Sequence, residues 1–227
     1  MTEGMAFCNL KYMNTHTSYT RIILARHGRS EAAEKGLVQG QGLNVPMTEE
    51  GRKQAEALAR FLADFSFGKI YASTALRAIE TARLIRAFHK ETPYEEIAEL
   101  NERSKGVSEG MTQTECRQKY PDIEAQWNQE LDARPKGGEN FEDVARRAVP
   151  LIERHLKEHP FGTTLLYVGH GNVFRSLIGH ALNMEHRYRP RIQLHYCAVS
   201  ALHYDHERKR WIVEYVNRVP ALSSICP

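Results

Sequence analysis

Cysteine is scarce in this 227-residue chain: Cys8, Cys116, Cys197 and Cys226 stand far apart and form no pair of the metal-binding or redox type. They read as reduced thiols, which implies a reducing compartment and hence a cytoplasmic location. Apolar runs are short, and none approaches the length that crosses a bilayer. The first twenty residues also lack the basic start and unbroken apolar stretch of a secretory signal, so residues 1–20 are expected to be a loose extension. Repeats and low-complexity tracts are missing, which argues against solenoid and linker architectures. Charge of one sign is missing too: 31 Lys and Arg against 28 Asp and Glu leave a formal net charge of +3. That excess is too small and too dispersed for a nucleic-acid surface, and it suits an anionic ligand held locally.

What is present is ordinary globular material, 41% hydrophobic and 26% charged, enough for one full α/β core. Residues 21–227 are therefore expected to form a single domain. Short, bounded apolar runs at Ile22-Ile23-Leu24-Ala25, at Lys69-Ile70-Tyr71-Ala72 and from Thr163 to Val168 read as buried parallel strands. Thr48 before Glu49 and Glu50 predicts an N-cap, and Ala55, Leu58, Ala59 and Leu62 recur behind it at helical spacing. The stretch from Ser73 to Ala82 reads as the helix fed by the second of these strands. Val144, Ala148, Leu151, Ile152 and His155 mark a longer helix from about Phe141 to His159, stopped by Pro160 and Gly162. Alternation over Ala198 to Tyr204 and Trp211 to Val216 predicts two closing strands joined by a polar hairpin around Asp205 to Lys209. Residues 101–138 are polar and carry Pro121 and Pro135, and are expected to be an inserted, lid-like segment of short helices.

Two of the strands end alike. Arg26-His27-Gly28 follows one and Gly169-His170-Gly171 ends the other, at the carboxyl ends where open α/β sheets bind ligands. A single histidine or glycine in such a place ordinarily serves the turn. Two unrelated turns have little reason to share both. Arg77 falls on the first turns of the helix after Lys69 to Ala72 and is expected to face the same edge.

Taken in order, Arg26-His27-Gly28, the Ser73 to Thr81 segment, Leu100-Asn101-Glu102-Arg103 and Gly169-His170-Gly171 resemble the histidine phosphatase superfamily, which includes the cofactor-dependent phosphoglycerate mutases. The resemblance runs from about Thr20 to about Val216. It implies a phosphoglycerate mutase-like, three-layer αβα sandwich with a mostly parallel central sheet. By the same resemblance His27 is the nucleophile of a phosphohistidine intermediate, His170 a second phosphate ligand and Glu102 the proton donor, with Glu109 in Ser108-Glu109-Gly110 as the runner-up. Arg26 and Arg77 carry planar, permanently charged forks that hold phosphoryl oxygens in pairs, and their charge favours neutral His27. Which ring nitrogen attacks stays open, and a proton donor at Glu102 calls for a raised carboxyl pKa, which a dianionic phosphate nearby is expected to provide. Ser30 and Asn172 join the phosphate-binding set. No metal or other cofactor is expected, since neither His27 nor His170 has a carboxylate or second histidine at ligand spacing.

The chain departs from the family pattern at several places. Ala33 stands where the family usually has a phosphate-contacting asparagine, and Arg29 where it has an acid. Lys105 replaces a tyrosine that helps hold phosphoglycerate in the mutases, and Trp127 is followed by Asn128 and Gln129 instead of paired arginines. Losing two charge-assisted contacts of about 1.5–3 kcal/mol each removes most recognition of a small dianionic acid. The expected activity is therefore that of a phosphomonoesterase acting on a phosphorylated small molecule. A phosphoglycerate mutase is the alternative, and a non-catalytic phosphate-binding module a third. Arg103, Lys105, Arg117, Lys119, Arg134 and Lys136, with Arg187, Arg189 and Arg191, fit a polyanionic substrate or, more simply, a solvated face. Neither nucleic acid nor membrane is an expected partner, and a homodimer is compatible with this reading.

Overall fold

The computed structural model describes residues 18–42, 44–129, 131–159 and 161–221, without the side chains of residues 124, 127 and 128. Cys8, Cys226 and residues 1–17 of the expected extension lie outside that set. In chain order the elements are β1 (Tyr19–Arg26), α1 (Glu31–Glu34), α2 (Glu49–Leu62), β2 (Lys69–Ser73), α3 (Leu76–Arg86), β3 (Tyr94–Ile97), α4 (Gln113–Lys119), α5 (Pro121–Asn128), α6 (Phe141–Glu158), β4 (Thr164–Gly169), α7 (Gly171–Ala181), β5 (Val199–Asp205) and β6 (Arg210–Arg218). The strands form one six-stranded sheet in the order β3-β2-β4-β1-β5-β6. The first four are parallel, and β5 and β6 continue the sheet antiparallel.

Strand alternation divides the core in two. Ile22, Leu24, Leu165 and Tyr167 pack against Val144, Leu151 and Ile152 of α6 and Phe174 and Ile178 of α7. Ile23, Ala25, Leu166 and Val168 face Leu58 and Leu62 of α2 and Ala82 and Ile85 of α3. Helices thus cover both faces of a sheet whose central strands are apolar throughout, the three-layer arrangement expected of parallel strands. Each fully buried Leu or Ile contributes about 1.5–3 kcal/mol. The Thr48 cap is the one the sequence predicts, its hydroxyl accepting from the Gly51 N–H at the start of α2, and Asn140 adds a capping box with Asp143 at the start of α6.

Three boundaries differ from expectation. Tyr19 and Thr20 belong to β1, so the strand begins inside the expected extension. Ser73 ends β2 and α3 starts only at Leu76, because the Ser73 hydroxyl is engaged by Asn101 and His170 instead of joining a helical turn. The edge strand β3, Tyr-Glu-Glu-Ile with two exposed glutamates, carries too little apolar pattern to announce itself. Within 101–138 the described structure is a 3-10 turn at Gly106–Ser108 and the short helices α4 and α5.

On the α6 side of the sheet, Tyr71 stacks on His155 at 4.1 Å and 9° between ring planes, and Tyr71 and Tyr167 hydrogen-bond to His159 Nε2 and His155 Nδ1 at 2.7 and 2.8 Å. Burial, with help from Arg154 and His159, pushes His155 down to about 4. An unfolded chain binds that proton near pH 6.5, so His155 favours the folded state above that pH and loses the contribution as pH falls towards 4. We expect the urea midpoint to drop over this window, and the pH dependence in His155→Phe to be flatter by about one proton. Identical slopes in the two proteins would show that His155 does not titrate there.

Candidate active site

The register of the central strands brings the two histidines together. Arg26 pairs with Gly169 across β1 and β4, so the next residue of each strand, His27 and His170, emerges beside the other. Their ring centroids are 4.9 Å apart, close to the spacing of neighbouring strands. Both are buried, His27 being 3% exposed and His170 0%. The chain order also reverses here: β1 leads by way of α2 to β2 on one side of β4, whereas β4 leads by way of α7 to β5 on the far side of β1. The crevice opens at that switch point. Gly28 lets the turn pack closely, since a Cβ there would lie 2.4 Å from the carbonyl oxygen of Gly51 in α2.

Hydrogen bonds resolve the tautomer that the sequence left open. His27 Nδ1 lies 2.7 Å from the carbonyl oxygen of Gly28. A carbonyl only accepts, so Nδ1 carries the proton and Nε2 keeps its lone pair. Burial, followed by His170, Arg77 and Arg26, holds the His27 pKa well below the ordinary imidazole value. The His170 pKa is held equally low in direction, by burial and then by Arg77, Arg26 and Arg147. His170 Nε2 donates to Ser73 Oγ at 2.7 Å, and Ser73 donates onward to Asn101 Oδ1 at 2.7 Å. His170 Nδ1 is buried with no hydrogen-bond partner among the described residues.

Two arginines flank this pair. Arg77, 1% exposed, donates from Nη2 to the carbonyl of Gly40 at 3.1 Å. Arg26 donates to the carbonyl of Leu194 and lies with its guanidinium carbon 4.0 Å from the centroid of Tyr196, whose ring is also 5.7 Å from that of His27.

Glu102, 7% exposed, accepts the N–H of Arg103 at 2.7 Å and that of Asn172 at 3.2 Å. Asn172 lies in the first turn of α7, where orphan N–H groups and the helix dipole favour a carboxylate. Burial works to raise the Glu102 pKa. The Lys105 ammonium, the Arg103 N–H, Arg26 and Arg77 together outweigh it and leave the group below the usual carboxyl value. The protein by itself therefore does not supply the raised pKa that a proton donor calls for. Lys105 is in turn pushed down to about 7 by burial and by Arg103.

The remaining candidates have other engagements. The Ser30 hydroxyl caps α1, accepting from Ala33 N at 3.3 Å and donating to Gln39 Oε1 at 2.7 Å. The Asn172 side chain accepts from Arg175 at 3.2 Å, so its link to Glu102 runs through the backbone. Glu109 accepts backbone N–H groups of Gln41, Gly42 and Lys105. Of the basic residues in 101–138, Arg117, Lys119, Arg134 and Lys136 are exposed, whereas Arg103 turns inward over Phe141 with its guanidinium carbon 4.7 Å from the ring centroid. Arg187 and Arg191 are exposed and bracket Tyr188, and Arg189 is buried. Sequence reasoning missed Ser73, Asn101, Tyr196 and Gly40. Ser73 and Asn101 lay inside segments that carry the family resemblance, but neither was given a role there.

Paired imidazoles with low proton affinity, flanked by arginines and a buried carboxylate at the switch point of an α/β sheet, define the class as one that handles anionic groups. A sequence model of the histidine phosphatase superfamily, branch 1, matches residues 22–218, and the chain belongs to that superfamily. It is 30% identical over 184 residues to the 2,3-bisphosphoglycerate-dependent phosphoglycerate mutase 2 of Gloeobacter violaceus, a match covering 79% of this chain and 84% of that protein. Among solved structures it superposes on a mycobacterial glucosyl-3-phosphoglycerate phosphatase with TM-score 0.80 and 25% identity, covering 88% of this chain and 99% of that one. It likewise superposes on the alpha-ribazole phosphatase of Shigella flexneri with TM-score 0.76 and 29% identity, covering 87% and 96%.

Proposed function

We propose that the chain is a phosphomonoesterase working through a phosphohistidine at His27. The observation that carries this reading is the free Nε2 lone pair of His27, in a buried site beside His170 that feels the charges of Arg26 and Arg77. Phosphoryl transfer needs positioning and charge stabilisation above all. Arg26 and Arg77 bind the non-bridging oxygens. His170, protonated on Nδ1 once a dianion is bound, adds a third donor.

In the first step His27 Nε2 forms a bond to phosphorus while the ester P–O bond breaks, and the departing alkoxide takes the proton of Glu102. In the second, water attacks phosphorus and gives its proton to the Glu102 carboxylate. The P–N bond breaks and inorganic phosphate leaves. A phosphoryl dianion offsets the pull of Arg26 and Arg77 on Glu102 and so raises its pKa towards a useful range. Glu102 is preferred to Glu109 because its carboxylate is the more buried and feels both Arg26 and Arg77, whereas of these two arginines Glu109 is paired by charge with Arg77 alone.

No metal is assigned a role, and the positive charge of Arg26 and Arg77 argues against one. Residues 21–227 act as one catalytic unit on this reading, with 101–138 covering the site. The substrate is a phosphorylated small molecule. No helix among the described residues is long and apolar enough to cross a membrane, and the buried thiols of Cys116 and Cys197 suit a reducing cytoplasm.

The test is to trap the intermediate. After exhaustive chelation, protein mixed with a phosphorus-labelled aryl phosphate and quenched in alkali should retain label that is stable to base and lost in mild acid. No retained label, or label that appears only when zinc or magnesium is restored, would defeat the mechanism. Phosphoglycerate mutase activity is the second reading, favoured by the Gloeobacter violaceus relative. It requires 3-phosphoglycerate to be isomerised after priming with 2,3-bisphosphoglycerate, and Lys105 in the tyrosine position weighs against it.

A further inference from the structure

Glu109 takes no part in the chemistry just described, yet both its oxygens are engaged. Oε1 accepts the N–H groups of Gln41 at 3.0 Å and Lys105 at 2.8 Å, and Oε2 accepts that of Gly42 at 2.5 Å. The carboxylate thus ties residues 40–42 to the turn that follows Glu102. Gln41 reinforces the tie from its own side, donating from Nε2 to the carbonyl of Glu102 at 2.9 Å and to Glu139 at 3.1 Å.

The loop held in this way has a consequence for the site, because the carbonyl of Gly40 accepts Arg77 Nη2. The glycines are needed for the grip. A Cβ at Gly40 would stand 2.0 Å from Glu109 Oε1, and one at Gly42 would stand 2.6 Å from Oε2. No rotamer of a side chain at position 40 avoids that clash, since it arises at the first carbon.

We propose that Glu109 is a positioning residue: by gripping the N–H groups of Gln41 and Gly42 it fixes the Gly40 carbonyl, and through it the place of the Arg77 guanidinium. The inference rests on the reading that Arg77 stabilises the transferred phosphoryl group. A misplacement of about 1 Å is enough to lower a rate about 10²-fold, so a latch far from the reacting atoms has leverage.

A double-mutant cycle tests it. Arg77→Ala should lower kcat by about 10²–10³-fold, the scale for a lost oxyanion donor. Glu109→Ala should lower it by about 10-fold to 10²-fold, equally for nitrophenyl and alkyl phosphates, and should have no further effect in the Arg77→Ala background. Glu109→Gln, which keeps one acceptor oxygen, should recover part of the loss. If Glu109→Ala fails to fold, Gly40→Ala carries the same comparison. Losses that multiply in the double variant overturn the proposal, as does a loss confined to alkyl phosphates, which would mark Glu109 as the proton donor. A wild-type rate in Arg77→Ala would sink the phosphoryl-binding assignment itself and the latch with it. Full dependence on Arg77 with multiplying losses sinks only the latch.

Discussion

His27→Ala should reduce hydrolysis of an aryl phosphate to background, a loss on the order of the 10⁶-fold that follows removal of a covalent nucleophile. The argument is one of atoms. Once the imidazole is gone, the free lone pair left at the site, on His170 Nδ1, belongs to a ring on the other strand that Ser73 holds through Nε2, so it does not take over the position of His27. The fold should survive, since the ring makes only a local bond to Gly28 and its burial among positive groups is no source of stability. Far-ultraviolet circular dichroism and the melting curve should match wild type within a few degrees, and no acid-labile label should form. Turnover near the wild-type rate would remove the nucleophile assignment.

Glu102→Gln should separate substrates by the basicity of what they expel. On the proposed mechanism an alkyl phosphate, which leaves as a strongly basic alkoxide, needs the proton of Glu102, whereas nitrophenolate leaves without help. The loss on alkyl substrates should be about 10²–10⁴-fold, the range that acid-base catalysis supplies, and much smaller on nitrophenyl phosphate. The pH profile offers a second check with a defined sign. Lys105, Arg26 and Arg77 hold the carboxyl below its ordinary value, so the descending limb of kcat for alkyl phosphates, where Glu102 loses its proton, reports how far bound phosphate moves it back up. In Glu102→Gln that limb should vanish. Equal losses on both substrates would reduce Glu102 to a positioning role.

Much of the site was legible because its parts sit at the ends of strongly patterned elements. Arg26-His27-Gly28 and Gly169-His170-Gly171 were found by their place after apolar strands, and the in-register pairing of Arg26 with Gly169 is the reason such reading works. Arg77 followed from the strand before it. Less visible were groups whose work depends on partners far away in sequence. Ser73 looked like the start of a helix, although it holds His170 from 97 residues away. Gly40 has no side chain to attract notice, and Tyr196 lies in a loop without periodic pattern. Ser30 was read as a phosphate ligand, and its hydroxyl caps α1. The direction of the Glu102 pKa could not be read at all, because it is a balance between burial and four neighbours from three separate segments. The edge strand β3 escaped for a simpler reason, two exposed glutamates in a run of four residues.

The pairing of β1 with β4 also separates what is free to change from what is not. The distance between the imidazoles is inherited from the repeat of the sheet, about 4.8 Å whatever side chains the strands carry, so no loop has to close for them to be aligned. The segment beyond Gly110 contributes none of the strand-borne groups, so its replacement should leave His27 and His170 aligned. Exchange that reaches back through Glu109 or Glu102 loses that independence. A one-residue insertion in β1 or β4 would do more damage than replacement of that segment, since a slip of one position turns a strand's side chains to the opposite layer.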